Sequence, residues 1–294
     1  MRKYSFLIMM LFLCSACEWK LKPNDEDVLQ QRIEIQRYDR LQSMYLTTAD
    51  FAALQQMETN YPMETRALIE NVLMLGPIDS PDINKKFLAF YQDSTLQTIL
   101  SDAEAQYANI DDVNKKLNDA ITRLRHDVPG IPIPRFYTQV GALGQSIIVG
   151  DESVGISLDK YLGADYPLYA KYYPEQTRVT MDREHIVPDC VSFYLLSLYP
   201  LSDFELRSQV DRDLHMGKVM WVTNHCVGHR FYNTRYVQVV DRFMKNNPGI
   251  TVEALLKMTD YTQLKQVVVL RPRIGVLLPT RRHSANPVSR SSVF

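Results

Sequence analysis

The apolar residues of this chain recur with helical spacing along most of its length. Phe51, Leu54 and Met57 follow Asp50, a typical N-cap residue, at intervals of three, and Tyr61-Pro62 ends this predicted helix. Similar patterns predict helices at residues 68–75, 82–91, 93–107, 110–126, 183–199, 203–224, 233–246 and 251–258. Proline, glycine or aspartate stands at many of the joints between them. The pattern therefore indicates a mainly helical chain.

The spacing changes to alternation in two places. Residues 32–38 alternate polar and apolar side chains, which predicts a short half-buried strand. After a proline-rich stretch, three short apolar runs at residues 135–140, 146–149 and 154–158 are separated by glycines, which predicts three strands of a small antiparallel sheet. The expected fold class is α+β, a mainly helical single domain with a small antiparallel sheet near its middle.

The N-terminus has the pattern of a bacterial lipoprotein signal. Arg2 and Lys3 precede a short apolar run, which is too short to span a membrane but suits the core of a secretory signal. The run ends in Cys14-Ser15-Ala16-Cys17, and small residues before a cysteine are what lipoprotein signal peptidase requires. We expect residues 1–16 to be removed and Cys17 to carry the lipid, with residues 17–30 as a polar tether. The alternative is an ordinary secretory signal that is cut nearby and leaves Cys17 unmodified.

Composition and charge narrow the class of protein. A hydrophobic content of 46% with 23% charged residues is ordinary for a chain that buries a sizeable core, here expected at residues 31–265. The formal net charge of -1 gives no reason to expect nucleic acid as a partner. No later segment resembles a membrane span of about 18 or more apolar residues, so we expect a protein held outside the cytoplasm by its lipid alone. Residues 266–294 form a basic tail, interpreted as disordered or as a segment that contacts anionic lipid or a partner.

Two cysteines remain once Cys14 is removed and Cys17 is modified. Cys190 and Cys226 lack the C-x-x-C spacing of a metal site or redox motif. They are interpreted either as one disulfide, which an oxidising compartment would permit, or as separate thiols in the core.

His225 and His229 raise the question of a metal site, because two histidines four positions apart lie on one face of a helix. A zinc peptidase also needs a glutamate beside the first histidine as general base, and Cys226 stands at that position. Gly228 within the pair weakens a helix by about 1 kcal/mol relative to alanine. We therefore expect no metal, no cofactor and no catalytic residue, and keep a zinc-dependent envelope hydrolase using His225 and His229 as the alternative.

A tyrosine-rich segment follows the last predicted strand. Tyr161, Tyr166, Tyr169 and Tyr172 are candidates for a partner-binding surface, because tyrosine combines apolar area with a polar tip and is enriched in interfaces. The same residues also suit the packing of an irregular loop onto its own domain. A third hypothesis for the function is a ligand-binding lipoprotein that uses residues 161–173.

Several of these segments together resemble one family. They are the Cys17 signal, residues 33–38 before Asp39, the segment GISLDKYLGADY at residues 155–166, and MDREHIVPD at residues 181–189. Gly217-Lys218 and the segment MKNNPGITVEALLKMTDYTQL at residues 244–264 also fit. With these features the chain resembles the GldB family of gliding-motility lipoproteins from Bacteroidetes-type bacteria. The likeness covers roughly residues 1–222 and 234–266, and the C-terminal part is shortened or divergent.

The resemblance implies a cell-envelope lipoprotein, in the inner or outer membrane, that serves as an accessory to motility and secretion machinery. It implies no catalytic residues. We therefore expect a non-enzymatic protein that is anchored through lipid and works by docking to envelope proteins.

Overall fold

The computed structural model describes residues 32–269. The predictions for the signal peptide, for Cys17 and for the tether up to residue 31 lie outside these residues, as does the tail from residue 270 onward. The helices of the first half are α1 (Tyr38–Thr48), α2 (Phe51–Asn60), α3 (Pro62–Arg66), α4 (Ile83–Phe90), α5 (Ser94–Gln106) and α6 (Asp111–Asp127), with a π-helical turn at Ala67–Val72 after α3. Those of the second half are α7 (Tyr169–Tyr172), α8 (Glu175–Arg178), α9 (Ile186–Leu198), α10 (Gln209–Val227), α11 (Arg235–Asn246), α12 (Val252–Lys257) and α13 (Thr262–Val269).

The mainly helical fold is confirmed, and side-chain caps fix several of its helix starts. Asp50 accepts hydrogen bonds from the backbone N–H groups of the first turn of α2, and Asp93 does the same for α5. Thr234 and Thr251 cap α11 and α12 through their hydroxyl groups. These short polar side chains satisfy N–H groups that have no partner inside the helix, so each helix begins where the sequence supplies one.

The sheet is small but mixed, so the prediction of an entirely antiparallel sheet is wrong. Strands β1 (Arg135–Gln139), β2 (Ile147–Val149) and β3 (Ser153–Ser157) lie in the order β1-β3-β2. β2 and β3 pair antiparallel, whereas β1 and β3 pair parallel. The chain reverses after β1 and again after β2, so β3 runs in the direction of β1 and lies between the two. Alternation of side chains locates strands but carries no information about their direction.

The strand predicted at residues 32–38 is reduced to one bridge. Gln36 makes a parallel bridge to Tyr137 on β1, and α1 already begins at Tyr38. The sequence did not predict α1, because Asp39, Gln42 and Ser43 are buried beside its apolar residues and hide the helical pattern. At the other end of the chain, α13 continues to Val269, so residues 266–269 are helical rather than part of a tail.

The core joins the sheet to the long helices. α9 packs against β2, β3, α6 and α10, and α10 packs in turn against α6, α11 and α12. The buried side chains form one cluster that extends from Ile35 to Leu264. Among residues 32–269, no helix has the length and apolar character needed to cross a bilayer.

Candidate functional site

Asp189, at the start of α9, is the centre of a polar network inside the domain. Its carboxylate accepts a hydrogen bond from the Tyr161 hydroxyl at 2.9 Å and another from the Tyr232 hydroxyl at 3.1 Å. Ser192, one turn further along α9, lies 3.0 Å from the hydroxyl of Thr223 on α10. Burial raises the pKa of Asp189, and the two phenol hydrogen bonds oppose that rise. The carboxylate thus joins three separate parts of the chain.

Asp159 is a second buried carboxylate and holds the connection between β1 and β2. It is fully buried, and its oxygens accept hydrogen bonds from the backbone N–H groups of Gly141, at 2.7 Å, and Leu143. Ala142 and Leu143 both have left-handed backbone conformations, which cost free energy unless the surroundings fix them. Burial raises the pKa of Asp159, and the N–H donors oppose it. The carboxylate therefore has a positional role in this loop.

The four candidate tyrosines do not form one surface. Tyr161 and Tyr169 are 1% and 0% exposed, so they belong to the core rather than to a binding surface. Tyr166 is partly buried and donates a hydrogen bond to Asp102, while Tyr169 donates one to the carbonyl of Asp159. Tyr172 alone of the four is exposed, at 61%. Contacts within the domain thus account for Tyr161, Tyr166 and Tyr169, whereas Tyr172 can contact another molecule.

His225 and His229 do not lie on one helical face. The α10 helix ends at Val227, and Gly228 takes a left-handed conformation with φ 81°, which turns the chain away before His229. His225 places Nε2 3.0 Å from Asp127 and stacks on Trp221 at an interplanar angle of 7°. The expectation that the two histidines lie on one face of a helix is wrong, because Gly228 ends the helix between them rather than only weakening it.

Arg123 contacts the C-terminal end of α10. Its guanidinium donates to the Cys226 carbonyl at 2.6 Å, and a Cβ on Gly228 would lie 3.1 Å from it. Arg123, Trp221, His225 and His229 line a surface cavity of about 490 Å³. Arg230 and Asp241 also line it and face each other at 3.6 Å, so charges of both signs border this cavity.

The structure also shows how the possible metal ligands and the two remaining cysteines are arranged. Within residues 32–269, no three His, Cys, Asp or Glu side chains are grouped closely enough to hold a metal ion. Cys190 on α9 and Cys226 on α10 are both buried free thiols, so the disulfide interpretation does not hold in this structure. Burial raises the pKa of both, that of Cys226 to about 12, which keeps them protonated and unreactive.

A further cluster combines Lys218 and His215 of α10 with Tyr261, just before α13. Lys218 is 1% exposed, and its ammonium donates to the carbonyls of Leu256 and Met258 at 2.9 Å each. Its Nζ lies 3.4 Å from the Tyr261 hydroxyl, and His215 Nδ1 lies 2.9 Å from the same hydroxyl. Burial lowers the pKa of Lys218 to about 8. The pKa of His215 falls to about 4 through burial and the nearby ammonium.

Sequence reasoning noted Gly217-Lys218 only as part of a resemblance and missed this cluster. A Cβ on Gly217 would lie 2.6 Å from the Cβ of Tyr236, so this glycine permits the close approach of α11 to α10. A lysine and a histidine three residues apart in the mostly apolar stretch at residues 214–222 were the available signal. Their partners on Leu256, Met258 and Tyr261 are about 40 residues further along the chain, beyond the reach of local pattern analysis.

Comparison with known proteins adds one finding. A family model described as "Gliding motility protein GldB" matches residues 18–230. No curated protein and no solved structure matches the chain. The match begins at the residue after Cys17 and ends in the loop that follows α10.

Proposed function

The chain belongs to the GldB family of gliding-motility proteins, whose model matches more than half of it, and on this basis we propose a lipid-anchored accessory protein of the cell envelope. In this proposal Cys17 carries the lipid, in the inner or the outer membrane, and the domain lies outside the cytoplasm. The protein works by docking to other envelope proteins and catalyses no reaction. The observation that carries the proposal is that the family match begins at residue 18, directly after the cysteine of the predicted lipoprotein signal.

The buried polar groups support a role without catalysis. The carboxylates of Asp159 and Asp189 accept hydrogen bonds from the protein itself, so their hydrogen bonds hold segments of the fold together. His225 lies against Asp127 and Trp221, while His229 stands beyond the helix end. This geometry gives no support to the zinc hydrolase hypothesis. The burial of Tyr161 and Tyr169 likewise removes support from a ligand-binding loop at residues 161–173.

Exposed apolar side chains are the positions at which the docking proposal can be tested. Tyr172 is 61% exposed and Leu206, near the start of α10, is 87% exposed. Leu206 lies close in sequence to Phe204 and Val210, which are also exposed. Isolated exposed apolar residues are normal on a protein surface, so contact has to be measured at each position.

Photo-crosslinking in intact cells tests the docking proposal. A photoreactive amino acid is placed at Tyr172, at Leu206 or, as the control, at the exposed polar residue Gln56, which lies on α2. We expect discrete crosslinked envelope proteins from at least one apolar position and none from Gln56. The absence of any protein adduct from both apolar positions, or cleavage of peptides or glycans by the purified protein, would contradict the proposal.

A further inference from the structure

A cavity of about 300 Å³ opens beside the Lys218 cluster. It lies between the end of α9, the middle of α10 and the chain that links α12 to α13. Its wall includes the apolar side chains of Leu198, Tyr199 and Met258 together with His215, Lys218 and Tyr261. A mostly apolar concavity with a few converging polar groups is the usual form of a small-ligand site.

The hydrogen bonds of the cluster fix the direction in which each group donates. An ammonium can only donate, so the Tyr261 oxygen accepts from Lys218. Within residues 32–269, Nδ1 of His215 is the contact of the Tyr261 hydroxyl that can accept its proton, so we infer that the hydroxyl donates to Nδ1. A neutral imidazole carries its single proton on the other nitrogen, so Nε2 of His215 is a donor. In this arrangement the tyrosine links the tautomer of the histidine to the buried lysine.

The Nε2 donor of His215 has no acceptor within residues 32–269, although His215 is only 3% exposed. Nε2 is not cut off from solvent, so an acceptor that enters the cavity can take the place of water on this donor. The cavity beside it provides the space.

The charges around the cavity decide what kind of acceptor fits. Among the residues that the structure describes, none of the side chains lining the cavity is acidic, whereas Lys218 and Lys257 both line it. Lys257 pairs with Glu253 at 2.5 Å, but Lys218 has only neutral oxygens around its ammonium. A buried cation without a counter-ion favours an anion over a neutral acceptor.

We propose that this cavity binds a small organic carboxylate. One carboxylate oxygen accepts from His215 Nε2, and the negative charge compensates that of Lys218. The apolar part of the ligand packs against Leu198, Tyr199 and Met258. This proposal is independent of docking, because the cavity would bind its ligand whether or not the protein also has a partner.

The histidine tautomer tests the premise in the unmodified protein. Nitrogen-15 NMR on the mature full-length protein in detergent reports which imidazole nitrogen carries the proton. We expect His215 to be neutral at pH 7 with its proton on Nε2, and addition of sodium benzoate to shift the Nε2 signal. A proton on Nδ1 would overturn the proposal.

Thermal unfolding tests the binding itself. Benzoate is the probe, benzamide is the neutral control of the same shape, and acetyl-leucine separates the carboxylate of a chain end from that of a small acid. We expect benzoate to raise the midpoint of unfolding with concentration, as any ligand of the folded state does, and benzamide to leave it unchanged. Acetyl-leucine is expected to match benzoate if a chain end fits the cavity, and to have no effect if only small acids do. Equal shifts from benzoate and benzamide, or no shift from either, would overturn the proposal.

Two variants separate this site from general binding of anions. Tyr261→Phe removes the hydroxyl that fixes the tautomer, and benzoate should then bind at least about tenfold more weakly, which corresponds to about 1.4 kcal/mol. Lys245→Gln removes a surface charge outside the cavity and should leave the affinity unchanged. If Tyr261→Phe does not fold, His215→Phe fills the same role. Unchanged affinity in the folded variant would contradict the proposal.

Discussion

The Tyr161 hydroxyl donates to the Asp189 carboxylate across 2.9 Å and thereby joins the segment after β3 to the start of α9. The two residues belong to two separate segments by which the chain resembles its family. Tyr232, which lies two residues beyond the end of the family match, donates to the other oxygen of the same carboxylate. The loop after α10 is therefore tied to the part of the domain that the family model matches.

This relationship predicts the effect of removing one hydroxyl. Tyr161→Phe leaves an oxygen of a largely buried carboxylate without its donor, so the free energy of unfolding should fall by about 1–3 kcal/mol. Tyr172→Phe is the matched control, because Tyr172 is exposed, and its effect should stay within about 0.5 kcal/mol. Denaturant unfolding at constant pH measures both. Similar values for the two variants would argue against the importance of the Tyr161 hydrogen bond.

The geometry of the helix end at Gly228 predicts that three glycine-to-alanine substitutions lower the unfolding free energy by different amounts. Gly228→Ala combines a left-handed backbone with a Cβ 3.1 Å from the Arg123 guanidinium, so we expect a loss of about 1–2 kcal/mol in unfolding free energy. Gly130 has nearly the same φ, 80°, but no neighbour within 4 Å, so Gly130→Ala measures the backbone strain alone and should cost less. Gly249→Ala meets neither condition and should be close to neutral. A larger cost at Gly249 than at Gly228 would contradict this account of the helix end.

The low pKa of Lys218 predicts how stability depends on pH. With a pKa of about 8 in the folded state and 10.5 in the unfolded state, the folded protein binds fewer protons between these values. The contribution of Lys218 to stability should therefore rise with pH in this window, by at most about 1.4 kcal/mol per unit. Cys190, Cys226 and Tyr261 have pKa values raised by burial, so they oppose this trend, the thiols from their ordinary range near pH 9 and the phenol from near pH 10; the two thiols and the phenol are present in both proteins compared here. The comparison is best made between pH 8 and pH 9.5, with Lys218→Met as the variant that lacks the slope. Parallel pH profiles for the two proteins would show that Lys218 is not the cause.

The proposed lipid anchor predicts that substitution of Cys17 and substitution of Cys14 have different effects on membrane attachment. In the proposed function Cys17 accepts the lipid, so Cys17→Ala should leave the protein without membrane attachment or as an unprocessed precursor without lipid label. Cys14→Ala is the control, because we expect residue 14 to be removed with the signal, and both processing and lipid labelling should be unchanged. Fractionation of cells together with metabolic labelling by a fatty acid distinguishes these outcomes. Lipid label that persists in Cys17→Ala would place the modification elsewhere.

Local patterns were sufficient for much of the fold. The caps Asp50 and Asp93 lie next in sequence to the helices that they start, and the three strands follow directly from short apolar runs between glycines. These signals depend on neighbouring residues alone, so a single sequence contains them. The pattern failed at α1, where Gln42 is buried because it donates to the Val140 carbonyl and accepts from the Val140 N–H. A sequence pattern predicts such a polar residue to be exposed, because its hydrogen-bond partners lie far away along the chain.

The sequence by itself determined the mainly helical character, the positions of the three strands of the sheet and the family to which the chain belongs. Tertiary structure decided the mixed direction of the sheet, the burial of Tyr161 and Tyr169, and the separation of His225 from His229 by the turn at Gly228. It also decided the assembly of His215, Lys218 and Tyr261 around one cavity. Periodicity and capping depend on contacts within a few residues, whereas burial, strand direction and hydrogen-bond partners depend on residues that meet only after the chain has folded.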